Sequence, residues 1–111
     1  MNIATILAQS HPANTTAVSA YSPAVGVSVQ ITRVVICNTT GSGATFRIFL
    51  DNDGTTYDET TALFFDETLA ANTSRLIEAE WWLDNSDGNL AVRTDTNSAL
   101  TFTFFGAENS R

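Results

Sequence analysis

Few side chains in this sequence are equipped for chemistry. His11 is the single histidine and Cys37 the single cysteine, so a histidine-rich metal site and an internal disulfide are both excluded. A Cys–His nucleophile would have to join the end of an apolar segment at 27–37 to the polar stretch before Pro12, where no acid lies near the histidine in sequence. A cysteine in such a segment behaves as a small hydrophobe. Glu78 and Glu80 share a strand face, and paired carboxylates are the machinery of glycoside hydrolysis. Their alternation with Ile77, Ala79 and Trp81 fits better the outer face of a half-buried strand. Asp51-Asn52-Asp53-Gly54, followed by Asp58 and Glu59, has the oxygen ligands that calcium uses. An EF-hand loop needs Gly at its sixth position and Glu at its twelfth; counted from Asp51 these are Thr56 and Ala62. The segment reads as a solvated hairpin loop, with an irregular calcium site as the alternative. Asp84, Asp87 and Asp95 read as turn residues. No catalytic residue, metal ligand or cofactor is expected.

The aromatic residues raise a different question. Phe64-Phe65, Trp81-Trp82 and Phe104-Phe105 are adjacent pairs. Neighbours in a strand point to opposite faces, so one ring of each pair fills a core and the other needs a cover. Exposed aromatics are the usual anchors of protein interfaces. Phe65, Trp81, Trp82 and Phe105 are therefore candidate interface residues, and a homo-oligomer is expected. The same rings beside loops rich in Asn, Asp and Thr would also serve a carbohydrate-binding surface. Three Asn-x-Ser/Thr triplets begin at Asn14, Asn38 and Asn72, as the composition alone would produce.

That composition narrows the job. The chain has 111 residues, the size of one domain. Twelve acidic residues face five arginines and no lysine, for a net charge of -7. Such a balance argues against nucleic acid, whose phosphates require a basic surface, and against an anionic membrane. No stretch approaches the ~20 apolar residues of a spanning helix, and the N-terminal apolar run lacks the basic residue of a signal peptide. Seventeen Thr, nine Ser and nine Asn stand where Lys and Glu usually coat an enzyme. Short polar side chains lose little entropy when immobilised, which suits a surface packed against neighbours.

The elements that must position these residues read as strands. Apolar residues come in short blocks of period two, broken by Gly, Asn, Asp and Pro. The blocks are 3–8, 17–22, 27–37, 44–50, 62–66, 74–83, 90–95 and 99–105. In 27–37 the run Val34-Val35-Ile36 implies a bulge or burial on both faces. Seven or eight short strands predict an all-β, antiparallel two-sheet sandwich, a jelly roll first and an immunoglobulin-like sandwich second. Strand order stays open.

Several strings resemble small β-sandwich virion proteins of tailed bacteriophages. They are Leu7-Ala8-Gln9, Tyr21-x-Pro23-Ala24-x-Gly26, Val34-Val35-Ile36-Cys37-Asn38, Ala44-Thr45-Phe46-Arg47-Ile48 and the closing Leu100-Thr101-Phe102-x-x-Phe105-Gly106. The resemblance implies a structural protein on the outer surface of a virion, made in the host cytoplasm. It would decorate and cement the capsid, typically as a homotrimer, touching the major capsid protein or other virion proteins. A tail, baseplate or fibre component is the alternative, as is a carbohydrate-binding module contacting the host. Residues 1–16 would form an extended arm, with Ile3, Ile6 and Leu7 ordering against a neighbour. Residues 17–106 would form the sandwich and 107–111 a tail. Trp82 and Phe65 would lie at the subunit interface. Asp51, Asp53, Asp58, Asp84 and Asp87 would face outward on their loops.

Overall fold

The computed structural model describes residues 2–110. Eight strands follow in chain order: β1 (Asn2–Ser10), β2 (Val18–Tyr21), β3 (Val27–Asn38), β4 (Ala44–Asp51), β5 (Ala62–Leu69), β6 (Ser74–Leu83), β7 (Asn89–Thr94) and β8 (Leu100–Ser110). They form two four-stranded sheets, β1-β8-β3-β6 and β2-β7-β4-β5. Every pairing is antiparallel. Only β4 and β5 are joined as a hairpin; every other connection carries the chain from one sheet to the other. This wrapping is the jelly roll, two Greek keys folded face to face.

Alternation makes each strand two-faced. On β3, Val29 and Ile31 point inward; past Thr32 and Arg33, Val34 and Ile36 do so again. The phase changes because β8 advances one residue, from Gly106 to Phe105, while β3 advances two and β6 three, from Trp81 to Glu78. Extra residues accumulating strand by strand bend the sheet. Of the two readings of Val34-Val35-Ile36, a bulge or burial on both faces, the bulge is the one that forms, just before that run.

The two inner faces meet in one core. Phe102 from β8 and Phe46 from β4 cross edge to face, with centroids 6.2 Å apart. Such pairs contribute roughly 0.5–1.5 kcal/mol beyond the apolar area they bury. Ile31, Val34, Ile36, Ile48, Leu83, Leu90, Val92, Leu100 and Phe104 fill the space around them. Phe49 is buried apart from this cluster. Its ring points to the outer side of its sheet, where Tyr57 of the 51–61 loop covers it at 6.1 Å between centroids.

Two terminal segments are ordered into strands. Residues 2–10, whose apolar block 3–8 reads as a strand and which the resemblance makes an arm, are an edge strand paired along its length with β8. Residues 107–110, expected as a tail, continue β8 between β1 and β3. Backbone hydrogen bonding on both sides holds this polar stretch extended. Gly106 makes the close approach possible, since a Cβ there would strike the carbonyl oxygen of Gln30 and the Leu7 side chain.

Candidate functional site

The outer faces of the sheets carry what the core does not use. On the β1-β8-β3-β6 sheet, the register aligns Ile6, Phe105, Arg33 and Glu78 across all four strands. Val35 and Leu76 stand in the next row, and Trp82 stands beside Gln30 near the far end. Ile6, Leu76 and Trp82 are 54%, 55% and 62% exposed. Phe105 is half-buried in this row. Ile6, Phe105 and Trp82, three of the interface candidates, thus point outward.

Two other interface candidates lie elsewhere. Leu7 is the extra residue of a bulge in β1 and packs against the core beside Gly106. Trp81 points inward and packs on the core, its ring 6.1 Å from Phe64. Both are partly buried against the core, Leu7 through its place in the bulge and Trp81 through strand parity. The side chain of Ile3 lies outside the described residues.

On the β2-β7-β4-β5 sheet, Arg47 stands directly opposite Arg93. Asp66 binds both, accepting from Arg47 Nε at 2.6 Å and Nη2 at 3.0 Å and lying 3.7 Å from Arg93 Nη1. The Arg47 guanidinium beside it holds the Asp66 carboxyl below the usual carboxylate range. Asp66 takes a left-handed φ of 56°, which Asp tolerates better than most residues, where β5 bulges against β4. Phe65 is 41% exposed on this face, and the Arg47 guanidinium stacks 3.7 Å from its ring centre. Its spare face is thus covered on one side from within the chain.

The outward carboxylates divide. Asp53, Asp58, Asp84 and Asp87 are exposed. Asp51 is only 8% exposed and turned into the base of its loop, where its carboxylate accepts the Thr56 N–H at 2.8 Å and the Asp53 N–H at 3.2 Å. Those two N–H groups lower its pKa, while the Asp51 carboxylate raises that of Asp53. Asp51 therefore organises the loop and does not face outward. No group of three or more His, Cys, Asp or Glu that could hold a metal ion occurs among the described residues.

Cys37 and His11 come closer than their sequence separation suggests. Thr101 is the cross-strand neighbour of Cys37 and lies 2.9 Å, through Oγ1, from His11 Nδ1. His11 Nδ1 also lies 3.0 Å from the Leu100 carbonyl oxygen, a bond in which the ring N–H donates. The imidazole thus ties the 11–17 connection to β8. Asn38 is a structural centre that sequence reading left inside a glycosylation-like triplet. It is buried, its amide donating to the carbonyls of Ser42 at 2.8 Å and Leu69 at 3.1 Å.

The two sheets are also latched at their β2 and β8 side. Tyr21 Oη donates to Glu108 Oε2 at 2.7 Å. Partial burial, and then the bond to Glu108, push the Tyr21 phenol well above its ordinary pKa.

No protein-family model matches the chain, and no curated protein does. Solved structures share its fold. A chain in the structure of infectious bursal disease virus Gx strain superposes with a TM-score of 0.53 at 15% identity, over 98% of this chain and 37% of that one. A chain of the T13 particle of the same virus gives 0.56 at 13%, over 97% and 29%. The VP2 subviral particle of that virus gives 0.53 at 14%, over 97% and 32%. This chain therefore spans about a third of the length of the structures it matches. These matches correct the resemblance to tailed-bacteriophage virion proteins. The strings behind it are strand and turn residues of β1, β2, β3, β4 and β8, which a jelly roll of other origin also requires. The fold is an antiparallel jelly-roll sandwich shared with structures of a virus particle.

Proposed function

We propose that this chain is a non-enzymatic structural subunit of a virus particle, built to pack against copies of itself and other virion proteins. The observation that carries this reading is the strand order β1-β8-β3-β6 and β2-β7-β4-β5, in a fold shared with structures of virus particles. Its outer faces support the reading. They present isolated apolar anchors, Ile6, Leu76 and Phe105 on one sheet and Leu63 and Phe65 on the other, on rigid strands. In the finer form of the proposal the chain lies at the outer surface of the particle as a homotrimer that stabilises the shell. The net charge of -7 favours that surface over contact with packaged nucleic acid.

Native mass spectrometry of the purified chain, with antibody labelling of intact particles, tests both levels. A homo-oligomer and surface label are expected. A strictly monomeric chain absent from particles would overturn the proposal. An oligomer other than a trimer would overturn only its finer form.

A further inference from the structure

Trp82 borders a groove on the outer face of its sheet. The groove is shallow, about 150 Å³, and is lined by Ser28, Val29, Gln30, Trp82, Ala107 and Asn109. The register explains its shape. Gln30 lies between Trp82 on β6 and Ala107 on β8, and Ala4 of β1 follows Ala107 in the same row. Ser28 and Asn109 face each other in the row beyond. Small methyl groups thus leave a trough, with the indole rising at one side and three hydrogen-bonding side chains around it.

The chemistry of the lining selects a class of occupant. None of the six residues carries a charge, although the chain as a whole is strongly acidic. An ionic ligand finds no counter-charge there. Among the described residues, no hydrogen bond within the chain involves the side chains of Ser28, Gln30 or Asn109. Asn38 and Asn89, by contrast, use their amides to hold backbone carbonyls. The volume is below the ~300–1,000 Å³ of sites for drug-sized ligands and suits one small ring. A flat, 62% exposed indole offers a face for the C–H groups of such a ring. The two amides and the hydroxyl offer donors and acceptors to its edge.

We infer that this groove is a binding site for a neutral saccharide, taking a single pyranose unit that stacks on Trp82 and hydrogen-bonds Gln30, Asn109 and Ser28. The site does not depend on the chain's building a particle, and it leaves the Ile6–Phe105 row free for other contacts.

Two-dimensional NMR of the wild-type chain tests the site, with the methyl glycosides of glucose, galactose, mannose and N-acetylglucosamine as probes. At least one probe should shift the indole N–H signal of Trp82 and the side-chain amides of Gln30 and Asn109 saturably. The dissociation constant should be millimolar, and the Trp81 signal should stay in place. Trp82→Ala, at an exposed position, should weaken binding at least tenfold, and Gln30→Ala severalfold. The inference is overturned if no probe moves the Trp82 signal, or if binding survives Trp82→Ala. It is also overturned if protein concentration alone moves that signal, since a second copy would then be the occupant.

Discussion

Arg47 on β4 and Arg93 on β7 stand in direct register, two like charges side by side, and the single carboxylate of Asp66 holds both. Like charges directly opposite destabilise a sheet, so the arrangement depends on that carboxylate. Asp66→Asn keeps a residue that tolerates the left-handed backbone and removes only the charge. It should lower the urea midpoint at neutral pH. The folded pKa of Asp66 is depressed, so its contribution is present above the unfolded value of ~3.9 and is lost as pH falls through the folded value. The midpoints of wild type and variant should converge in acid. A difference that persists at the lowest pH at which both fold would contradict the charge role.

Tyr21 and Glu108 give the opposite sign. The Tyr21 pKa is raised in the folded state, so its contribution is complete below the unfolded value of ~10 and is lost as pH rises above it. Wild type should lose stability above pH ~10 more steeply than Tyr21→Phe. At neutral pH the variant should be less stable by about 1 kcal/mol, a modest cost because solvent reaches the pair. Denaturant midpoints across that range measure both effects.

Asn38 should be among the most sensitive polar positions. Beyond its two donated bonds, its Oδ1 accepts from the Thr40 N–H at 3.0 Å and the Thr40 hydroxyl at 2.8 Å. Asn38→Ala removes all four bonds, at about 1–3 kcal/mol for each buried group left unpaired. Urea unfolding monitored by tryptophan fluorescence should show the loss.

Gly106→Ala should cost about 1–3 kcal/mol, the usual range for forcing atoms into a packed site. Its added methyl would meet the Gln30 backbone, which cannot turn aside as a side chain end would. Thermal unfolding is a sufficient measurement. An unchanged midpoint would mean that β8 and β3 separate there more easily than their packing implies.

Ile6 separates association from folding. It is 54% exposed on an edge strand, so Ile6→Asp should change fold stability by no more than about 0.5 kcal/mol. If the Ile6–Phe105 row is a contact between copies, the same change should weaken self-association at least about tenfold, as seen by sedimentation velocity. Unchanged association would remove this row from the interface.

What the sequence determined follows from local rules. Period-two blocks bounded by Gly, Asn and Asp locate seven or eight strands, and the fold has eight, because side-chain alternation and turn chemistry are properties of neighbouring residues. The same rule sends the two rings of Phe64-Phe65 and of Trp81-Trp82 to opposite faces, and the run Val34-Val35-Ile36 implies a bulge or burial on both faces; which ring turns inward, and that a bulge follows Ile31, was decided by packing between strands. Strand order was beyond it, since β1 and β8 pair only through contacts spanning almost the whole chain. Only the tertiary structure made the first segment a paired strand and not an arm, and carried β8 on through 107–110, because the hydrogen bonds of these stretches come from each other and from β3. It turned Asp51 inward through the N–H groups of its own loop and buried Phe49 beneath Tyr57. It also brought Ser28, Gln30, Trp82 and Asn109 from three strands around one groove. Short-range alternation decides which way a side chain points; what it then meets depends on which distant strand is laid beside it.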